Sequence, residues 1–243
     1  MTDRISTQIR DGVAEITLNS PDDDNALRPE LLDGIIEAVD AAEADSTVKA
    51  IALRAEGTVF SSGAALDIVA KFGMDSIAGR LVEAQRRLVA SPLPTVAVVE
   101  ATVMAGGFGL VAACDIAIAA DDVDFRFTEV RNAVAPAAIS MTVLARTNPR
   151  LITDLMLTGR TFTAREAVDA GVITRTVPRG VLEEQVARTL SDLTDASAQG
   201  LRETKKLLNA DIHAALITKG GERAALGAKL FNTDEAQKRL LAE

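Results

Sequence analysis

The stretch TVAVVEATVMAGGFGLVAACDIAIA, residues 95–119, decides the fold class of this chain. It begins with Thr95–Val99, a nearly all-apolar run of the kind found in strands that are covered on both faces of a sheet. A loop with three glycines then leads into a short helix, and Asp115–Ala119 predicts the next strand. Strands that alternate with helices favour an α/β fold.

The same alternation continues upstream of this stretch. Asp11-Gly12 separates two β-prone runs and indicates a hairpin. Pro29 occupies the first position of an amphipathic helix that continues to about Ala44. The remaining predicted elements of this half are strands at 5–10, 13–18, 48–54 and 124–127 and a helix at 76–89, with loops of small residues between them.

Downstream of Ala137 the pattern becomes mainly helical. Thr163 and Glu166 have the spacing of a capping box, Gly171 is suited to end the helix that this box begins, and 172–177 predicts a last strand.

These patterns divide the chain into two regions. We predict an α/β core over residues 1–180 and a C-terminal helical region over residues 181–243. The helical region has less sheet to pack on, so we expect it to pack on a neighbouring subunit and to support oligomerisation.

Composition excludes several classes of function. The chain has 243 residues, a formal net charge of −9, one Cys and one His, which excludes a disulfide framework and cysteine-rich or multi-histidine metal sites. An acidic chain without Trp or Tyr lacks the basic surface and stacking platform of nucleic-acid-binding proteins. The N-terminus has no apolar signal region, and the uncharged stretch from Ala101 to Cys114 falls short of the roughly 18 residues of a membrane span. We therefore expect a cytoplasmic protein with no metal, nucleic-acid or membrane partner.

Two loops of small residues are the first candidates for chemistry. Phe60–Leu66 and Met104–Gly109 each follow a strand and precede a helix. Two backbone amides that converge from such loops would form an oxyanion hole, although the spacing fits two tight turns equally well. Gly107–Ala112 also matches the dinucleotide pattern G-x-G-x-x-A, but its helix is short for a parallel crossover and Asp121 follows too soon.

Four segments then match one known family in order. In NSPDDDNAL (19–27), VFSSGAAL (59–66), AGGFGLVAACDI (105–116) and LTGRTFTAREAVDAGVI (157–173), the chain resembles the enoyl-CoA hydratase/isomerase (crotonase) superfamily. The resemblance implies a spiral of ββα turns and a C-terminal helical trimerisation region that forms homotrimers or dimers of trimers. It also implies an acyl-CoA thioester as substrate, so coenzyme A enters as part of the substrate and no separate cofactor is expected.

The resemblance assigns roles to individual residues. The backbone amides of Ala64 and Gly106 match the donors that hold the thioester oxygen, and Glu129 matches a catalytic glutamate. Small side chains at the loop positions would let the thioester approach the backbone. Five further residues match positions that line the adenine and pantetheine path: Ala26, Leu27, Ser62, Ala65 and Leu66.

One carboxylate of the family pattern is missing. Of the two glutamates that flank a water in the family's hydratases, the first aligns with Gly109 and the second with Glu129. Water addition needs a second acceptor, whereas moving a double bond from C3 to C2 needs a single base. We therefore predict an enoyl-CoA isomerase-type reaction with Glu129 as base, its pKa raised by the apolar neighbours Phe127 and Val130.

Two alternatives stay open at this point. One is a hydratase with a different water-activating group, and the other is an acyl-CoA-binding protein whose catalytic machinery has decayed. The crowded segment 137–140 favours the second alternative. The tail lacks the basic stretch that touches the CoA phosphates in similar proteins, and Lys238 and Arg239 are weak substitutes.

Overall fold

The strands of the protein form two sheets. The computed structural model describes residues 4–240, so the ends of the two predicted regions, residues 1–3 and 241–243, lie outside the described part. Its strands are β1 (Ile5–Arg10), β2 (Val13–Leu18), β3 (Ala50–Ala55), β4 (Val59–Ser61), β5 (Thr95–Val99), β6 (Thr102–Met104), β7 (Ile116–Ala120), β8 (Asp124–Arg126), β9 (Thr161–Thr163) and β10 (Arg175–Val177).

The helices are concentrated in the second half of the chain. They are α1 (Pro29–Ala44), α2 (Leu66–Phe72), α3 (Asp75–Ala90), α4 (Gly107–Ala113), α5 (Ser140–Arg146), α6 (Pro149–Thr158), α7 (Ala164–Ala170), α8 (Leu182–Thr194), α9 (Ala198–Leu208), α10 (Ala210–Phe231) and α11 (Asp234–Leu240). Single turns of 3₁₀ helix occupy Pro21–Asp23, Glu129–Asn132 and Arg179–Val181. No helix within residues 4–240 combines the length and the apolar character that a bilayer crossing requires.

From β3 to β8, consecutive strands alternate between the two sheets. The larger sheet has the order β1-β2-β3-β5-β7-β10, in which β1 and β2 are antiparallel and the other neighbours are parallel. The smaller sheet has the order β4-β6-β8-β9, in which β9 is antiparallel to β8 and the other neighbours are parallel. The pairs β3–β4, β5–β6 and β7–β8 therefore each give one strand to each sheet. This arrangement confirms the predicted α/β spiral of ββα turns.

Several local predictions are confirmed by backbone geometry. The hairpin pairs Arg10 with Val13 across the predicted turn, and Pro29 is the first residue of α1. Thr163 and Glu166 form a reciprocal capping box at the start of α7. Gly171 ends this helix with a φ of 82°, a conformation that glycine adopts without steric cost.

Other predictions need correction. The residues of β4 and β6 were expected in loops, and β9 interrupts a region expected to be helical. Strands of three residues carry too little periodicity to be distinguished from turns. The predicted strand 172–177 begins only at Arg175, because the amides of Val172 and Ile173 both donate to the carbonyl of Ala167 in the turn that follows α7.

The C-terminal helices are fixed to the core by a buried ionic network. Helix α10 packs against α3, and Lys205 of α9 is buried. Its ammonium group donates to the carbonyls of Leu88 (2.9 Å) and Leu93 (2.7 Å) and pairs with the Asp115 carboxylate at 2.9 Å. Asn209 donates to the other carboxylate oxygen at 2.8 Å. Removing a buried cation that uses all its donors is costly, because its carbonyl and carboxylate partners are left buried without that donor.

We expect Lys205→Met to lower the free energy of unfolding by about 3–5 kcal/mol, since it leaves Asp115 and two carbonyls without their shared donor. The matched control is Lys206→Met, which changes an exposed neighbour on the same helix and should stay within about 0.5 kcal/mol of the wild type. Urea denaturation followed by circular dichroism measures both. Equal midpoints for the two variants would contradict the role assigned to this network.

Candidate active site

A cavity of about 520 Å³ lies where the ends of β4 and β6 meet the 3₁₀ turn Glu129–Asn132 and the C-terminal helices. The C-terminal region contributes Gly227, Phe231 and Leu240 to the wall. All eight residues to which the sequence assigned a role line this cavity: Glu129, Ala64, Gly106, Ala26, Leu27, Ser62, Ala65 and Leu66.

Two loops form the wall that carries the candidate amides. Strands β4 and β6 are parallel neighbours, so the loops that follow them leave the same edge of the sheet. The loops touch at Gly63, where a Cβ atom would lie 2.8 Å from the Ala105 Cβ and 3.2 Å from the Gly106 nitrogen. Gly63 also has a φ of 94°. Both the close approach and the positive φ therefore require glycine here.

The amides of Ala64 and Gly106 are unpaired donors. Ala64 forms an isolated parallel bridge with Leu27, in which Leu27 donates to Gly63 and Ala65 donates to Leu27. In a parallel bridge of this kind the N–H of Ala64 itself points away from Leu27 and does not bond to it. Within residues 4–240, neither this N–H nor that of Gly106 donates a hydrogen bond to the protein. Two such donors on one cavity wall can hold an oxygen that gains negative charge.

The backbone of the loop after β6 is also held in an uncommon conformation. Ala105, which precedes Gly106, has a φ of 43°. A non-glycine residue in this left-handed region costs about 1–3 kcal/mol and is found most often at functional sites. Its amide is fixed by donation to the Arg126 carbonyl at 3.1 Å, on the neighbouring strand β8.

Glu129 is a buried carboxylate in the same cavity. Glu129 begins the 3₁₀ turn after β8, and the residue is only 8% exposed. Its Oε2 atom is buried without a hydrogen-bond partner within residues 4–240. Burial removes water from the charged form and raises the pKa of Glu129 to about 7. This carboxyl can therefore take up and release a proton near neutral pH.

Aromatic stacking connects the segment of Glu129 to the loop of Gly106. Phe127, two residues before Glu129, stacks on Phe108 with ring centroids 4.0 Å apart. Phe108 is the second residue of α4, the helix that begins directly after Gly106. Both rings are buried. The stack thereby limits the movement of the buried carboxylate relative to the unpaired amide.

The position of the missing glutamate is filled by other side chains. A Cβ atom on Gly109 would lie 2.6 Å from Ile139 Cγ2 and 3.1 Å from Gln85 Cδ, so no carboxylate side chain fits there without rearrangement. Sequence reasoning missed Gln85 and identified Ile139 only as part of the crowded segment 137–140. Gln85 had a signal, because it lies four residues after Leu81 on the apolar face of a predicted helix.

The other carboxylates of the cavity are paired. Arg28 donates to Asp23 (2.7 Å) and to Asp67 (2.8 Å). A hydrogen bond from Arg28 lowers the pKa of Asp67. Although burial opposes it, hydrogen bonds from Ser20, Arg28 and Arg4 lower the pKa of Asp23. Both groups therefore stay ionised and engaged, unlike Glu129.

The remaining polar candidates do not add a nucleophile or a metal site. Burial raises the pKa of the Cys114 thiol to about 12, so it stays protonated. Within the described residues, no group of three or more His, Cys, Asp or Glu side chains is arranged to hold a metal ion. Of the two tail cations, Arg239 donates to the carbonyl of Arg131 at 3.2 Å and so ties α11 to the turn of Glu129.

Known proteins share both the sequence and the fold. The family model described as enoyl-CoA hydratase/isomerase matches residues 8–242. A Thermus thermophilus protein provisionally named an enoyl-CoA hydratase is 33% identical over 202 residues, which cover 81% of this chain and 80% of that protein. The crystal structure of an enoyl-CoA hydratase from Mycobacterium avium has a TM-score of 0.92 at 34% identity and covers 100% of this chain and 96% of its own.

A second solved structure, an enoyl-CoA hydratase from Bacillus halodurans, has a TM-score of 0.88 at 26% identity, with 99% of this chain and 100% of that chain covered. The sequence match spans nearly the whole chain, and the fold matches at the level of the complete ββα spiral and the helical region. The chain belongs to the enoyl-CoA hydratase/isomerase family.

Proposed function

We propose that the protein processes acyl-CoA thioesters by moving a proton on a thioester enolate, in the manner of an enoyl-CoA isomerase. The observation that carries this proposal is Glu129, a buried carboxyl with a pKa of about 7 that lines the same cavity as the two unpaired amides. An acid–base group that titrates near neutral pH beside preorganised donors is suited to proton abstraction next to a carbonyl.

In the proposed reaction the thioester oxygen binds to the amides of Ala64 and Gly106. Glu129 removes a proton from C2 of a 3-enoyl group, and the electron pair delocalises onto the thioester oxygen as a dienolate. The amides stabilise this charge because they are already oriented and need no reorganisation. Glu129 then returns the proton to C4, the double bond lies between C2 and C3, and no atom is gained or lost.

Among residues 4–240, the cavity wall carries no second free carboxylate, and this favours isomerisation over hydration. Asp23 and Asp67, the other carboxylates of the wall, are both paired with Arg28. The space in front of Gly109 is occupied by Ile139 and Gln85. The names of the relatives favour hydration as a second candidate, which would require a different group to orient the water. The buried, unpaired carboxyl of Glu129 lowers stability and would contribute nothing to binding alone. It therefore argues against a binding protein whose catalytic machinery has decayed.

The proposed path of coenzyme A follows five residues of the cavity wall that match the family's binding positions. Ala26, Leu27, Ser62, Ala65 and Leu66 would line the adenine and pantetheine portions, and no cofactor besides the CoA of the substrate is proposed. Arg28 follows Leu27 directly and is one of the arginines that line the cavity, with Arg126 and Arg131.

We also propose that the protein assembles as a homotrimer or a dimer of trimers through the region from residue 181 onward. Large apolar side chains there are exposed, including Leu207 at 80% and Leu208 at 71%. Leu207 and Leu208 are adjacent, and contiguous exposed apolar groups, unlike single ones, mark contact surfaces.

The reaction is tested with purified protein and separate 3-enoyl-CoA and 2-enoyl-CoA substrates. We expect conversion of the 3-enoyl substrate, and Glu129→Gln should lower kcat by about 10²–10⁴-fold because the base is removed. Glu184→Gln, a change to an exposed carboxylate on α8, is the matched control and should behave as wild type. Rapid hydration of the 2-enoyl substrate would contradict the isomerase proposal and support the second candidate, a hydratase.

The pH profile of the same assay tests the state of the base. Glu129 must be ionised to accept the C2 proton, so kcat/KM should fall about tenfold per pH unit below an apparent pKa near 7. An ordinary glutamate would give this acidic limb near its usual pKa of 4.5. A flat profile down to about pH 5 would show that Glu129 is not the group that takes the proton.

Burial of Glu129 also predicts how stability depends on pH. Because its pKa rises from 4.5 to about 7 on folding, the folded state keeps a proton that the unfolded chain loses within this window. The wild type should therefore lose up to about 3 kcal/mol of unfolding free energy as the pH rises through the window. Glu129→Gln does not titrate, so its stability relative to wild type should increase from about pH 5 to about pH 8. Urea denaturation at both pH values measures this, and a constant difference would contradict it.

A further inference from the structure

The cavity wall has an ionic part and an apolar part. The ionic part carries the paired side chains of Asp23, Arg28 and Asp67. The apolar part, here called the apolar end, includes Leu81 and Ile139. An alkyl chain attached to a thioester held at the loops would be driven into the apolar end by the hydrophobic effect.

Ile139 separates this apolar end from a buried region behind it. It lines the cavity and is 2% exposed. Its Cγ2 methyl fills the space that a Cβ atom on Gly109 would need, at 2.6 Å. Gln85, which would be 3.1 Å from that Cβ atom, is fully buried and does not line the cavity. The Ile139 side chain is therefore a partition between the cavity and the Gly109–Gln85 contact.

The partition stands close to the proposed reaction centre. Gly109 follows Gly106 by three residues, so the two lie on the same face of α4, about 4.5 Å apart along the helix axis. Leu81 is next to the same face, because its Cδ2 atom would be 3.4 Å from a Cβ atom on Gly106. An acyl chain that extends along α4 from the unpaired amide would meet Ile139 about one helical turn away.

Hydrogen bonds hold the partition in place. Gln85 Nε2 donates to the Ala138 carbonyl at 3.0 Å, and Thr142 donates to Gln85 Oε1 at 2.6 Å. The Thr142 hydroxyl is also 3.1 Å from the Ile139 carbonyl oxygen. All of these groups are buried, so a shift of Ile139 would leave polar atoms unpaired.

We propose that Ile139 closes the acyl end of the cavity and sets the longest acyl group that the enzyme accepts, with Gln85 as the residue that positions it. This inference rests on the proposed function, because it takes the ligand to be an acyl-CoA. Gly109 has a matching role, since only a residue without a side chain leaves room for the Ile139 methyl.

The test measures binding instead of turnover. Dissociation constants of saturated acyl-CoAs, from butanoyl-CoA through dodecanoyl-CoA, are determined by calorimetry. For wild type we expect affinity to increase about fourfold per added methylene, the gain from burying one such group, up to a limiting length beyond which it stops increasing. Ile139→Ala should move this limit to longer chains, and the milder Ile139→Val should move it less. Leu144→Ala, on the exposed side of α5, is the matched control and should leave the limit unchanged.

A second substitution acts in the opposite direction. Gly109→Ala should push Ile139 towards the cavity and shorten the limiting chain, and combining it with Ile139→Ala should remove that effect because the clashing methyl is gone. An identical length profile for wild type, Ile139→Ala and Gly109→Ala, with acyl-CoA bound by all three, would overturn this inference and leave the proposed function intact. Failure of wild type to bind any acyl-CoA would overturn both.

Discussion

Two loops meet at the wall of the cavity because Gly63 has no side chain and takes a φ of 94°. A Cβ atom at this position would be 2.8 Å from the Ala105 Cβ, well inside the roughly 3.5–4.0 Å at which carbon atoms pack. The contact fixes the separation of the Ala64 and Gly106 amides, and the parallel pairing of β4 with β6 fixes the loops themselves. The rest of the site depends on this contact, since α4 begins directly after Gly106 and carries the ring on which Phe127 stacks.

Desolvation has two effects at Glu129. An ionised carboxylate with one oxygen lacking a hydrogen-bond partner is unfavourable in a buried place, and this lowers the stability of the folded protein at alkaline pH. The same absence of water raises the proton affinity into the range where a base can both accept and return a proton. Asp23 and Asp67 show the contrast, because ion pairs with Arg28 keep them charged and unavailable. The cavity thus separates a carboxyl that can exchange protons from carboxylates that are held ionised.

Sequence alone predicted the features that rest on local chemistry. The hairpin, α1 beginning at Pro29 and the capping box at Thr163 are each specified by a few adjacent residues. The two loops were recognised as candidates, but their contact at Gly63 depends on strands of three residues whose pairing no local pattern reveals. The filled space at Gly109 was equally hidden, because Gln85 and Ile139 come from segments 24 residues before and 30 residues after it and meet only in the folded chain.

The partnership of Asp115 with the C-terminal helices bears on the order in which the protein is made. Asp115 directly precedes β7, the fifth of the six strands in the order of the larger sheet. Asn209, which binds it, follows 94 residues later, and Lys205 belongs to α9. While the chain leaves the ribosome, the sheet has its central strands long before the cation that neutralises this carboxylate exists. The native partners of this carboxylate therefore exist only after synthesis has reached α9, and a nascent chain stalled before it leaves Asp115 without the cation that fixes the C-terminal helices to the core.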